Sequence, residues 1–173
     1  TIPMVKIQDL RYGENPHQRA AFYGEVGWRG PTLATAQQLQ GKALSYNNIH
    51  DADAAMGLVL GLESSRPSVA IIKHANPSGA ATSDNLVDAY DQALACDSMS
   101  AFGGILALNR PLTLELVERI GKHFFEVILA PGFEEDALAR IRRKKNLRLL
   151  KVADMDTSPE GRGYLKRVHG GWL

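Results

Sequence analysis

Short apolar runs recur through this chain at Val69-Ala70-Ile71-Ile72, Ile105-Leu106-Ala107-Leu108 and Val127-Ile128-Leu129-Ala130, each of a length that suits a buried strand, and Leu147 to Val152 reads as another strand that closes the pattern. Helical periodicity fills the intervals. Over 84–95 it runs through Leu86, Val87, Tyr90, Ala93 and Leu94, and two more helices are expected over 113–124 and 134–145. The last opens on Glu134, Glu135 and Asp136 and closes on bases, as the helix macrodipole favours. A helix is also expected over 51–63, where Ala52, Ala55, Met56, Val59, Leu60 and Leu62 recur before Ser64-Ser65-Arg66-Pro67 ends it. Strands alternating with helices bury both faces of a sheet. The expected fold is therefore α/β, a three-layer α/β/α sandwich around a mainly parallel sheet. Residues before about Tyr46, broken by Gly24, Gly27, Gly30 and Pro31, read as strand and turn material wrapping the domain edge. Tyr164 to Val168 reads as a further strand with solvent-facing basic residues.

The side chains that can do chemistry gather where these runs break. Lys73-His74-Ala75-Asn76-Pro77-Ser78-Gly79 follows the first run and sets a proton acceptor beside a cation at a strand end, the place where α/β proteins keep their sites. Arg11-Tyr12-Gly13-Glu14-Asn15-Pro16-His17-Gln18 packs a guanidinium, a phenol and an imidazole around a Gly and a Pro, and the Arg fork of donors suits phosphate oxygens. Gln40-Gly41-Lys42-Ala43-Leu44-Ser45-Tyr46-Asn47-Asn48-Ile49-His50-Asp51 carries two consecutive amides that fit a carboxamide ligand as well as a helix cap. Ser98-Met99-Ser100-Ala101-Phe102-Gly103-Gly104 allows a close approach of ligand to backbone. Each segment, taken alone, also fits an ordinary turn.

Several function classes are disfavoured. The histidines His17, His50, His74, His123 and His169 are scattered and Cys96 is the only cysteine, so zinc-ligand spacing is missing and no metal is expected. There is no Gly-rich loop ending in Lys-Ser/Thr. A formal net charge of +1 provides no field for nucleic acid or an anionic membrane, and no apolar run approaches the length of a span. The basic run Arg140, Arg142, Arg143, Lys144, Lys145 reads as a solvated helix end, and Trp28 and Trp172 as packing residues. A single Cys suits a reducing compartment, with the cytoplasm as the default location.

In this order, RYGENPHQ, QGKALSYNN, KHANPSG and SAFGGI resemble the transformylase domain of the bifunctional purine-biosynthesis family 5-aminoimidazole-4-carboxamide ribonucleotide (AICAR) transformylase/IMP cyclohydrolase. The likeness continues through Ile128-Leu129-Ala130-Pro131-Gly132-Phe133-Glu134-Glu135 to Arg167-Val168-His169-Gly170-Gly171. It implies that residues 1–173 are the first half, the N-terminal subdomain, of the transformylase domain. The cyclohydrolase domain and the second transformylase half are then expected to be absent. It also implies a cytidine-deaminase-like fold, although the H-x-E and P-C-x-x-C zinc signature of those enzymes is missing here.

The implied reaction moves a formyl group from the co-substrate 10-formyltetrahydrofolate to the 5-amino group of AICAR, on the path to IMP. By the same resemblance His74 is the general base and Lys73 orients the formyl group, stabilises charge or delivers a proton. Arg11 and Tyr12 bind the phosphate, His17 lies nearby, Asn48 rather than Asn47 contacts the nucleotide, and Phe102 and Gly103 border the reacting groups. A homodimer through the transformylase domain is implied. The competing expectation is a non-catalytic nucleotide-binding or structural fragment of such an enzyme.

Overall fold

The computed structural model describes residues 1–155 and 167–172. Strands β1 (Met4–Leu10) and β2 (Ala20–Glu25) pair as an antiparallel hairpin, and β3 (Gln37–Gln40) follows a 3-10 turn at Leu33–Thr35. Next come α1 (Tyr46–Leu60), β4 (Ser68–Lys73), β5 (Asn76–Thr82), α2 (Leu86–Cys96) and the short α3 (Ser98–Ala101). The chain continues through β6 (Ile105–Leu108), α4 (Leu114–Ile120), β7 (Val127–Ala130), α5 (Glu135–Ile141) and β8 (Arg148–Lys151). A small hairpin of β9 (Arg167–Val168) and β10 (Gly171–Trp172) ends the described residues. Tyr164 to Lys166 of the expected late strand lie outside the described residues, as do the side chains of Arg167 and Trp172.

The main sheet has six strands in the order β3-β8-β7-β6-β4-β5. Alternation along each strand splits the core in two. Val69, Ile71, Leu106, Leu108, Ile128 and Leu149 face α2, α4 and α5, while Ala70, Ile72, Ile105, Ala107, Val127 and Leu129 face α1. The three layers are thus present. Every residue of β6 and β7 is buried, which is why those runs are continuously apolar.

The sheet is mixed where a mainly parallel one was expected. Only β6–β7 and β7–β8 are parallel, whereas β3–β8, β4–β5 and β4–β6 are antiparallel. The cause is one strand hidden in the sequence. Asn76-Pro77-Ser78-Gly79 looks like a loop, yet it begins β5, the edge strand that turns back along β4 with a register shift opposite Ile72 and Pro77. An edge strand tolerates Pro, because its missing N–H faces outward. With β5 reversed, the α2 crossover delivers β6 parallel to β5 and hence antiparallel to β4.

Helix ends also moved. Helix α1 starts at Tyr46 because Ser45 caps it, with Asn48 completing a capping box, so the amides belong to its first turn and do not precede it. Helix α4 stops at Ile120, capped by the Gly121 N–H on the Val117 carbonyl, and α5 stops at Ile141, well before the lysines.

Candidate functional site

Antiparallel pairing of β4 with β6 sets Ile72 opposite Ile105, so the end of one strand adjoins the start of the other. This brings Lys73-His74 and Phe102-Gly103 together, although simple counting along a parallel sheet would leave them at opposite ends. They share a cleft of about 390 Å³ with Asn47, Asn48, Asp51, Phe124 and Glu126.

The turn that displays His74 is backbone-strained and carboxylate-held. His74 and Ala75 adopt φ of 53° and 56°, the left-handed region that a two-residue hairpin turn requires and that residues bearing a Cβ avoid. The Asp51 carboxylate accepts both backbone N–H groups, Oδ2 from His74 at 3.0 Å and Oδ1 from Ala75 at 2.9 Å. Asn76 Nδ2 donates to the His74 carbonyl at 2.7 Å. These contacts leave the exposed His74 ring unencumbered. Lys73 Nζ donates to the Phe102 carbonyl at 2.7 Å, which ties the cation to the opposite lip of the cleft. Gly103, at φ 76°, lets that lip turn and donates its N–H to the Phe124 carbonyl at 2.8 Å.

Asn48 is 5% exposed and its amide is committed inside the protein. Its Oδ1 accepts from the Ser45 N–H at 3.2 Å, and its Nδ2 donates to Glu126 Oε2 at 2.9 Å. The exposed Asn47 lines the same cleft. Asp51, Glu126 and Phe124 escaped the sequence reading. Asp51 closes the amide segment read from the sequence, but only the turn's positive φ reveals its task. No periodicity signals Glu126, which meets Asn48 just before β7 because α1 packs over that face of the sheet.

Arg11 and His17 line a different cleft of about 340 Å³, formed by the β1–β2 connection. That connection folds on itself through the Gly13 N–H on the Gln18 carbonyl at 2.9 Å and the Asn15 N–H on Gln18 Oε1 at 2.9 Å. Tyr12 is half-buried and lines neither cleft. A larger apolar cleft of about 430 Å³ between the hairpin and α1 contains none of the expected residues. In it, burial pushes the Asp53 carboxyl above the usual range, with the charge of His50 opposing. Among the described residues no helix is long and apolar enough to cross a membrane.

The chemistry available in the main cleft is that of an accessible imidazole, a tethered ammonium and two carboxylates, one of them engaged by the turn. It can take a proton from a weakly basic group and stabilise negative charge nearby. A family model described as AICARFT/IMPCHase bienzyme matches residues 1–173. The chain is similar to the bifunctional purine biosynthesis protein PurH of Rhizobium leguminosarum bv. trifolii, with 56% identity over 168 residues, covering 96% of this chain and 31% of that protein. The PurH of Acetivibrio thermocellus is 47% identical over 97% of this chain and 32% of its own length, and that of Lacticaseibacillus casei is 49% identical over 97% and 33%. The chain spans about a third of the length of the curated relatives it matches.

Proposed function

The chain belongs to the AICARFT/IMPCHase bienzyme family, and from that premise we propose that it carries one wall of a formyl-transfer site in purine biosynthesis. The acceptor is the 5-amino group of AICAR and the donor is 10-formyltetrahydrofolate. The amine is a poor nucleophile because its lone pair is delocalised into the ring and carboxamide, so its proton must leave as the new bond forms. His74 is the base. Lys73 stabilises the negative charge that develops on the formyl oxygen or protonates the departing folate nitrogen. Phe102 and Gly103 border the reacting groups, and Arg11, Tyr12 and His17 hold the phosphate end. Asn48 contacts the nucleotide from the cleft wall it lines, its side chain oriented by Ser45 and Glu126. The opposite wall comes from further chain and from a second copy in a homodimer, located in the cytoplasm.

The observation that supports this reading most is the meeting of Lys73, His74, Phe102 and Gly103 in one cleft through the antiparallel β4–β6 pair. Calorimetric titration with AICAR tests the binding half. Arg11→Ala should weaken binding about tenfold or more, as expected for a charged hydrogen bond worth roughly 1.5–3 kcal/mol. His74→Ala should leave the dissociation constant within about threefold, since a base acts on the reacting proton. An unchanged constant in Arg11→Ala removes the phosphate role. A non-catalytic nucleotide-binding module remains the second reading, favoured by the open cleft and by the third of the relatives' length that the chain spans; it predicts AICAR binding with no turnover under any complementation.

A further inference from the structure

The Phe102–Gly103 lip sets where the Lys73 ammonium lies, because Lys73 Nζ donates to the Phe102 carbonyl at 2.7 Å. Yet the lip is lightly rooted. Phe102 is 56% exposed, and Gly103, at φ 76°, is a residue with the freedom to turn in other ways. What holds the lip is the stretch from His123 to Glu126, which leads from the end of α4 into β7. The Gly103 N–H donates to the Phe124 carbonyl at 2.8 Å and the Glu126 N–H to the Gly104 carbonyl at 2.9 Å. These two bonds carry the parallel β6–β7 pairing outward to the rim of the cleft.

The Phe102 ring itself is met by two side chains of that stretch, Phe124 with ring centres 5.8 Å apart and His123 edge-on at 5.8 Å and 72°. His123 is the one tied to the core. Its ring centre lies 4.8 Å from that of Phe125, which is 2% exposed and belongs to the core layer shared with α2 and α4. Its backbone is fixed as well, the N–H donating to the Ile120 carbonyl at 2.9 Å and the carbonyl accepting from Lys144 Nζ at 2.8 Å. A line of contacts therefore runs from the core through Phe125, His123 and Phe102 to Lys73. The imidazole adds no hydrogen bond to it, since His123 Nε2 is buried and has no partner among the described residues. A buried nitrogen in that state costs stability, so what the ring contributes here is its shape.

We infer that His123 is a positioning residue for the reaction in the Lys73–His74 cleft: its ring is the wedge between Phe125 and Phe102 that holds the lip, and through the Phe102 carbonyl the Lys73 ammonium, at the place where charge develops. The inference rests on the formyl-transfer reading of that cleft. His123 touches no reacting group and lines no part of the cleft. Its effect falls on geometry. An ammonium on a flexible four-carbon stem stabilises a transition state only where something fixes it, and here that anchor is a carbonyl on a glycine-hinged lip.

The test measures turnover of 10-formyltetrahydrofolate and AICAR by the chain supplied with the remainder of a relative's polypeptide in trans. His123→Ala opens a gap beside Phe102 and should lower kcat by about tenfold to a hundredfold, the cost of misplacing a group by about 1 Å, with the AICAR dissociation constant within about threefold. His123→Phe keeps the ring without the buried nitrogen and should return kcat to within about threefold of wild type. Leu116→Ala, a core change in α4, is the stability control, expected to lower the melting midpoint and leave kcat unchanged. Amide exchange at Gly103 reads the lip whether or not turnover occurs, and should quicken about tenfold in His123→Ala and stay as in wild type in His123→Phe. A His123→Ala kcat within about twofold of wild type, a His123→Phe variant as slow as His123→Ala, or an equal fall of kcat in Leu116→Ala overturns the positioning role. If wild type itself never turns over, the formyl-transfer reading fails, and Gly103 exchange then decides the wedge: quickening in His123→Ala alone supports it, and unchanged exchange overturns it.

Discussion

Replacing Asp51 with Ala removes the single carboxylate that holds the β4–β5 turn, and the cost can be worked from its contacts. Two backbone N–H groups, of His74 and Ala75, lose charged acceptors at 3.0 and 2.9 Å. Hydrogen bonds to charged groups contribute roughly 1.5–3 kcal/mol each, and since the turn is partly exposed, water recovers about half of that. The expected loss is about 1.5–3 kcal/mol, a large share of a typical domain stability of roughly 5–15 kcal/mol. Urea denaturation should show it as a midpoint lowered by about 1 M, with faster amide exchange at His74 and Ala75. A companion change probes the strain itself. Ala75→Gly relieves about 1 kcal/mol of left-handed strain but raises unfolded-chain entropy by a similar amount, so in wild type it should be nearly neutral. In the Asp51→Ala background the same Gly should recover more, making the two changes non-additive. A loss below about 0.5 kcal/mol for Asp51→Ala, or strict additivity with Ala75→Gly, would refute the carboxylate clamp.

Ser45→Ala removes the cap of α1 and should cost about 1 kcal/mol in urea denaturation; an unchanged midpoint would mean that Asn48 and Glu126 hold the helix end without it. Gly79→Ala would drive a Cβ into the Ala93 carbonyl oxygen and force α2 away from β5, with an expected loss of about 3 kcal/mol or more; a stable variant would contradict this close packing. Tyr90 is 1% exposed and its hydroxyl has no hydrogen-bond partner among the described residues, so Tyr90→Phe should be neutral or stabilising by about 1 kcal/mol at pH 7. Burial first, and then the charge of Asp91, push the Tyr90 phenol from 10.0 up to about 12, against the pull of Arg119. The folded form therefore keeps its proton where the unfolded form loses it. The contribution is fully present below pH 10.0 and is lost as pH rises toward about 12, so the gap between wild type and Tyr90→Phe should widen over that window in alkaline melts.

Much of the fold was legible because burial on both faces leaves an unmistakable mark. The cores of β4, β6 and β7 are continuous apolar stretches, and α2 shows its core face through Leu86, Ala89, Tyr90 and Ala93. Strand β5 was hidden because its Asn-Pro-Ser-Gly opening carries turn chemistry, and a sheet edge accepts what a central strand would reject. That one omission reversed the expected strand directions. It also concealed how the site assembles, since the β4–β6 register alone brings Lys73 to the Phe102 carbonyl. The reactive pair could be read from residue types at a strand end. Asp51 and Glu126 could not, because carboxylates serving a turn and a buried amide look like surface acids until backbone angles and neighbouring strands are known. The resemblance that named Arg11, Tyr12 and His17 is carried by short motifs, while the cleft that Arg11 and His17 line here belongs to the β1–β2 connection and is separate from that of His74.

The most direct test of the central claim is tetrahydrofolate release from 10-formyltetrahydrofolate and AICAR, measured for the chain alone and after adding the remainder of a relative's polypeptide in trans, with wild type compared against His74→Ala. A base role predicts turnover on complementation and a loss of roughly 10²–10⁴-fold in His74→Ala, with AICAR affinity nearly unchanged. Wild-type turnover in the His74→Ala variant would contradict the assignment of His74, and a folded, AICAR-binding chain that never turns over would contradict the formyl-transfer reading itself.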